Sequence, residues 1–352
     1  EVFKVVPISK VFGIIEWVRD SDTTLGQMIG NGVMRLPKKN QDQKHSQILE
    51  DMMAQCAENV KGKKPTAEDY SDMIENANSS QFAEKMKRFV KIQEMLPLTT
   101  LRDGLMSKAQ TAQLEFQVRK NFALSLSASS CCQYILGIGD RHVENILVND
   151  RNGKILAIDF GHAFGSATQL LPIQELMPFR LTRQMVGVLA PLEPHGLLKR
   201  SMTYVMSALR ANHDVLRRTL EIFASDPTVD WLKYANRPSA PKVGGITQWI
   251  AATKIEALDQ KLEGMHPSEV MRNELLKCTH EKPRKAAQDM RSGLNRVVCG
   301  ESGSLRRKLL EESASRTKPY ILNPKEQVDV LVEQATDPAV LCCTYRGWSP
   351  WL

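Results

Sequence analysis

Two short apolar runs, Ile146–Val148 and Ile155–Ile158, are separated by Asn149-Asp-Arg-Asn-Gly153. Runs this short around a polar, Gly-ending cluster predict a β-hairpin. A hairpin brings the residue before its first strand and the residue after its second to the same end. The two most polar motifs of the chain stand there: Gly139-Asp-Arg-His-Val-Glu-Asn145 before the hairpin and Asp159-Phe-Gly161 after it. The turn therefore brings Asn145 and Asp159 together although they are 14 positions apart.

That conjunction suits phosphoryl transfer. The reaction needs a group to orient and deprotonate an attacking hydroxyl, and oxygen ligands to hold Mg²⁺ on phosphates. Asp140 and Asn145 are five apart, the usual separation of a catalytic-loop base and its Asn metal ligand, and Asp159 opens the Asp-Phe-Gly. Asn145 and Asp159 are hard oxygen donors, and partial protein coordination leaves room for water and phosphate oxygens, which suits Mg²⁺. The usual His-Arg-Asp order is inverted, so His142 lies two residues past Asp140. It could accept the proton or stabilise transition-state charge, and the sequence leaves both roles open. His162 reads as a packing or capping residue.

Around this unit, Val2–Val18 alternates apolar residues around Gly13 and predicts two short strands joined by a turn. Residues 25–95 read as helices joined by variable loops, and 114–136 as a long, increasingly buried helix. The stretch from Asn121 to Gly139 carries no formal charge, but its asparagine, serines and glutamine point to burial inside a protein and not to a membrane span. Residues 169–230 read mostly as helix punctuated by Pro172, Pro178, Pro191 and Pro194. Asn323-Pro324 with Glu326 three residues after the cap predicts a helix start. The apolar Trp348, Pro350 and Trp351 predict a docked terminus.

Composition constrains partners. Net charge is +7, and residues 232–320 hold the whole excess, with 17 Lys and Arg against 10 Asp and Glu. Scattered basic residues without interleaved aromatics read as a solvated, partly mobile segment and not as a nucleic-acid contact. Seven cysteines in no paired C-x-x-C spacing read as reduced thiols. Cys278 and His280 are too few for a metal site. Glu1 in place of Met, with no charged-then-apolar leader, reads as a fragment or processed chain.

The inverted loop, Asp159-Phe-Gly161, Pro178-Phe-Arg-Leu-Thr-Arg183 and the terminal Gly347-Trp-Ser-Pro-Trp351 resemble the phosphatidylinositol 3-kinase-related protein kinases. The resemblance covers nearly the whole chain. It implies an α+β, mostly helical fold: a protein-kinase-like C-lobe with the end of the N-lobe sheet and a C-terminal FATC helical element. Residues 1–18 would be the end of the N-lobe and the hinge, and 19–235 the C-lobe. A basic linker or regulatory insertion carrying some helix would fill 236–320, with the FATC element at 321–352. Trp17 would lie against the adenine of ATP, Val18 would offer backbone hydrogen bonds, Ile15 would be the gatekeeper, and Leu147 and Ile158 would close the pocket from below. Pro178 and Phe179 would belong to the substrate-facing activation segment.

Gly161–Gln169 and Glu175–Gln184 are most similar to the members of that family that act in end-joining repair of DNA double-strand breaks. The resemblance implies a nuclear, membrane-free enzyme, recruited through the Ku heterodimer to DNA ends, that phosphorylates Ser or Thr followed by Gln. A kinase's Gly-rich loop, phosphate-binding Lys and helix Glu precede its hinge. Gly30-Asn-Gly32 follows the hinge, so it is no substitute, and the fragment alone is expected to be inactive. Two other functions compete. A lipid kinase of the same superfamily calls for basic residues in the activation segment, whereas 159–178 contain no Lys or Arg. A non-catalytic scaffold should lack the base or a metal ligand, and Asp140, Asn145 and Asp159 are all present.

Overall fold

The computed structural model describes residues 3–9, 12–33, 65–107, 109–190, 196–224, 246–289, 292–314 and 321–352. Pro191 and Pro194 lie outside them. The fold is α+β and mostly helical, as expected.

At the N-terminal end β1 (Val5–Ser9) and β2 (Phe12–Ile15) pair antiparallel, with Val5 opposite Ile15. Gly13 sits within β2 opposite Pro7, so it is a strand residue and not the centre of a turn. A second sheet has the order β3-β4-β5, from β3 (Thr23–Thr24), β4 (Ile146–Val148) and β5 (Ile155–Ala157). The predicted hairpin is β4–β5, with Ile146 opposite Ala157 and Val148 opposite Ile155. Its turn forms because the Asn149 Oδ1 accepts the backbone N–H groups of Arg151 and Asn152, both at 3.1 Å. Strand β3 is two threonines long, too short for any alternation to mark it.

Helices form the body: α1 (Leu25–Val33), α2 (Ala67–Glu75), α3 (Ser80–Met95), α4 (Thr100–Met106) and α5 (Ala112–Leu136) before the hairpin. After it come α6 (Ser166–Leu170), α7 (Arg183–Leu189), α8 (Leu197–Ala211) and α9 (His213–Ala224). The long helix α5 is the expected one, and it buries Val118, Phe122, Leu126, Cys131 and Ile135. Its polar residues explain why it belongs inside protein. Ser125 Oγ accepts the Ile155 N–H at 3.0 Å, and Asn121 Nδ2 donates to the Asn152 carbonyl at 2.9 Å, so the helix fastens the hairpin. Among the described residues no helix is long and apolar enough to cross a membrane.

The described part of the basic stretch, expected to be a solvated segment, is packed into the fold. It holds α10 (Ile246–Glu263), α11 (Pro267–Leu276), α12 (Glu281–Gln288), α13 (Gly293–Cys299) and α14 (Leu305–Ala314). Ile255, Leu258, Leu262, Leu275, Leu294 and Val297 join the main core. Several of its basic residues are buried and paired. Lys254 donates to the Phe164 carbonyl at 2.5 Å and to Gln169 Oε1 at 2.8 Å, and the fully buried Arg306 bonds Asp337. Charge counting along a sequence cannot see such partners. Cys278 and His280 pack locally, with the His280 N–H on the Cys278 sulfur at 3.4 Å.

Helix α11 starts at His266, whose Nδ1 accepts the Ser268 N–H at 3.2 Å with Pro267 in the first turn. His266 is fully buried, and burial, reinforced by the Arg306 charge, pushes its pKa from 6.5 down to about 4. A depressed folded pKa stabilises above the unfolded value and loses that contribution as pH falls toward the folded value. Between pH 7 and pH 4.5 this one group should withdraw about 2.5 kcal/mol from local stability. Amide-exchange protection over 265–276 should fall by roughly fiftyfold or more across that range. His266→Asn, which keeps a capping acceptor, should flatten the dependence.

The tail forms α15 (Pro324–Thr336) and α16 (Pro338–Cys342). The expected capping box is present: Asn323 accepts from the Glu326 N–H and Glu326 from the Asn323 N–H, both at 2.9 Å. Helix α15 buries Val328, Leu331 and Ala335 in the main core, and α16 lies on α3. The end of the chain is docked: Trp351 is fully buried, Trp348 and Leu352 nearly so.

Candidate active site

Helix α5 ends at Gly137, which takes a left-handed φ of 59° and leaves no room for a Cβ, because the Gly165 nitrogen would lie 2.6 Å from it. From there the backbone runs beside the turn that follows the Asp-Phe-Gly. Phe164 N–H bonds the Leu136 carbonyl at 2.8 Å, Gly165 N–H the Gly137 carbonyl at 2.9 Å, and Gly139 N–H the His162 carbonyl at 2.7 Å. The two polar motifs are thus one backbone unit. His162 serves it through its carbonyl, in line with a packing role.

Asp140 and Asp159 both adopt left-handed backbone conformations, with φ of 58° and 55°. Such conformations in non-glycine residues each carry roughly 1–2 kcal/mol of strain and persist where neighbours enforce them. The enforcing group is Arg141, whose side chain is fully buried. Its Nε donates to the Gly139 carbonyl at 2.8 Å, one terminal nitrogen to the Ile158 carbonyl at 2.8 Å, and the other to the Asp159 carbonyl. The guanidinium also lies 5.7 Å from the centre of the Phe160 ring. One side chain therefore ties the loop before the hairpin to the turn after it.

Asn145 and Asp159 are brought together as the hairpin requires. The Ile158 N–H bonds the Asn145 carbonyl at 3.1 Å, which places Asp159 beside it. Asn145 is buried, and its Nδ2 donates to the Asp140 carbonyl at 2.9 Å, so the Oδ1 is the atom left for a cation. Asp159 Oδ1 accepts the Gly161 N–H at 3.1 Å and leaves the other oxygen. Among the described residues no group of three or more His, Cys, Asp or Glu is gathered as a metal cage. Two oxygen donors without a cage fit Mg²⁺ that keeps phosphate and water ligands.

His142 caps the short 3₁₀ turn Val143–Asn145: its Nδ1 accepts the Glu144 N–H at 3.2 Å. In the neutral ring that bond places the proton on Nε2. The Nε2 side of His142 is then a donor, which suits it to stabilising negative charge. Glu144 in turn accepts from Thr24 Oγ1 at 2.6 Å, anchoring the loop to β3.

The other expected site residues divide. Ile15 and Trp17 are exposed, Trp17 at 75 %, and Val18 is half-buried. The segment that follows them is pinned to the hairpin turn: Asp150 N–H bonds the Asp20 carbonyl at 2.9 Å, and Arg151 pairs with Asp20 at 3.0 Å. Leu147 pairs with Thr24 across β3–β4, and both Leu147 and Ile158 are half-buried. Pro178 and Phe179 are not surface groups. Phe179 is 1 % exposed in the core, and Pro178 lines a cavity of about 50 Å³ behind the catalytic loop with Glu175, Lys261 and Glu274. A buried ring cannot touch a peptide, so these two residues shape the segment from beneath.

Sequence reading misses three groups. Arg141 reads only as the middle of Asp-Arg-His. Glu175, one formal charge in a nearly neutral segment, accepts the Asp140 N–H at 2.7 Å. The third is the buried set Lys254, Gln169 and Glu274, in which Gln169 bonds both Lys254 and Glu274, while the Thr279 N–H reaches the Gln169 carbonyl at 2.9 Å. It clamps helices α10 and α11 onto the segment after the Asp-Phe-Gly. Burial of Lys254 signals this, and its position on a basic stretch hides it.

Comparison with known proteins agrees with this geometry. Residues 1–233 match the phosphatidylinositol 3- and 4-kinase family and residues 321–352 the FATC domain. The DNA-dependent protein kinase catalytic subunit of Dictyostelium discoideum is 33 % identical over 99 % of this chain, and that of Mus musculus 32 % over 99 %. The serine-protein kinase ATM of Sus scrofa is 27 % identical over 99 % of the chain. The chain spans 8 % of the length of each of the first two relatives and 10 % of the third. With the kinase match covering most of its residues and a FATC match at its end, the chain belongs to the phosphatidylinositol 3- and 4-kinase family, in the FATC-bearing branch of protein kinases.

Proposed function

We propose that this chain is the C-terminal part of a nuclear Ser/Thr protein kinase that transfers the γ-phosphoryl group of ATP to Ser/Thr-Gln sites in double-strand-break repair by end joining. The observation that carries the reading is the joined loop and turn: Asp140, His142, Asn145 and Asp159 are held at one end of one hairpin by backbone bonds and by Arg141. Asp140 orients the substrate hydroxyl and takes its proton as the oxygen bonds the γ-phosphorus and the bridging P–O bond to ADP breaks. His142 offers its Nε2–H to the charge that develops on the transferred group. Asn145 and Asp159 would hold Mg²⁺, which would supply charge neutralisation to the phosphates. Trp17, Val18 and Ile15 on one side, and Leu147 and Ile158 on the other, bound the adenine. DNA ends and the Ku heterodimer are partners of the longer protein.

A neutral activation segment favours an uncharged Gln beside the target hydroxyl over a phosphoinositide headgroup. The full-length protein with Mg²⁺ and ATP should phosphorylate a Ser-Gln peptide at least about tenfold faster than the same peptide with Ala after the Ser. DNA ends with Ku should raise that rate. Phosphorylation of phosphoinositide vesicles in place of peptide would establish the lipid reading, and absence of both activities together with absent Mg²⁺-dependent ATP binding would establish the scaffold.

A further inference from the structure

Glu175 lies in the activation segment, 35 residues from Asp140, yet it is 4 % exposed and directed at the catalytic loop. Its Oε2 accepts the Asp140 N–H at 2.7 Å. That amide sits at the left-handed turn of Asp140, where the backbone would otherwise relax. The approach is close: a Cβ on Gly139 would meet Glu175 Oε2 at 2.5 Å and the Ala167 Cβ at 2.2 Å. Loop and carboxylate are fitted to each other.

Glu175 is itself anchored. Its carbonyl accepts from Thr168 Oγ1 at 2.8 Å, and the next carbonyl, of Leu176, accepts from Gln334 of α15 at 2.9 Å. Arg180, further along the segment, donates to the Ser349 carbonyl at 2.5 Å. The segment that carries Glu175 is thus held from the FATC side.

We propose that Glu175 is a positioning residue for phosphoryl transfer: its buried carboxylate grips the amide of Asp140 and fixes the turn from which the Asp140 side chain acts. This rests on the reading of Asp140 as the base. An ionised carboxylate accepts several N–H bonds, whereas the protonated acid gives up part of that capacity to its own O–H. Burial pushes Glu175 up to about 7, against the bonds from Asp140 and the charge of Arg141. The charged groups that face it are Asp140 and Arg141 on the loop and Arg180 on its own segment. Lys261 of α10 and Glu274 of α11 share its cavity. The grip should therefore loosen as pH falls below about 7.

Glu175→Gln in the full-length protein tests this, because it keeps the volume and one acceptor and removes the charge. The expected kcat is about thirtyfold lower, with the KM for ATP within about twofold. The acid limb of the wild-type kcat profile near pH 7 should disappear in the variant. Amide exchange over 137–145 should quicken, while exchange over α8 stays as in wild type. A kcat and acid limb like those of the wild type overturn the proposal. So does a KM for ATP that rises as far as kcat falls, or exchange that quickens throughout the domain, since both mark a general structural role. If the wild-type protein transfers no phosphoryl group but the loop alone loosens in Glu175→Gln, the kinase reading fails and the grip stands. An unchanged loop overturns the grip whatever the activity.

Discussion

Asp159→Asn in the full-length protein should lower Mg²⁺-dependent phosphotransfer by at least about a thousandfold while leaving the fold unchanged. The substitution is nearly isosteric. The Oδ1 that accepts the Gly161 N–H has an equivalent in Asn, and the Asp159 carbonyl bonded by Arg141 belongs to the backbone. The left-handed φ of 55° is tolerated by Asn as readily as by Asp. What changes is one negative charge beside Asn145, and with it half of the protein's hold on the cation. Initial rates measured across a Mg²⁺ titration, with amide exchange as the control for folding, check the expectation. A rate within tenfold of wild type at saturating Mg²⁺ would remove Asp159 from the metal site.

Arg141→Ala should have the second-largest effect, and by a different route. The guanidinium is fully buried and bonds the carbonyls of Gly139, Ile158 and Asp159. Removing it leaves three inward carbonyls without their donor, at about 1–3 kcal/mol for each that water cannot reach. The left-handed turns at Asp140 and Asp159 would then relax independently, separating base from metal ligand. We expect kcat to fall more than about a hundredfold and amide exchange to quicken over both 137–145 and 155–165. Arg141→Lys has a single donor centre and lacks the planar fork, so it should recover only part of the loss. A kcat within threefold of wild type for Arg141→Ala would show that the two motifs hold together without it.

The parts of this site that are legible in the sequence are those fixed by local chemistry. Asn149 builds the hairpin turn from its own side chain, so the pairing of Asn145 with Asp159 follows from residue order alone. Asn323, Pro324 and Glu326 announce their helix for the same reason. Residues held by distant partners leave no such trace. Glu175 matters because Asp140 lies against it, and Lys254 because Phe164 and Gln169 come from the opposite side of the fold. In both cases a formal charge, which ordinarily marks solvent, sits inside the molecule. Residues 246–314 mislead by that same inversion: their apolar positions are spread over several helices that join a core supplied mostly by other parts of the chain. Phe179 shows the converse: a residue of a recognisable motif is packed inside the core, where the motif alone gives no sign of its partners.

The placement of Phe160 bears on how this site can be inhibited. The ring is 45 % exposed and lies under Arg141, and it is not wedged into the core. A small molecule that gains affinity by swinging the Asp-Phe-Gly turn outward would have to break the two Arg141 bonds to the Ile158 and Asp159 carbonyls. The departing ring would vacate little enclosed apolar volume in return. Selectivity is better sought at surfaces already open, above all the indole of Trp17 and the edge presented by Leu147 and Ile158. A compound series for this protein should therefore grow along the 15–18 segment and away from the turn.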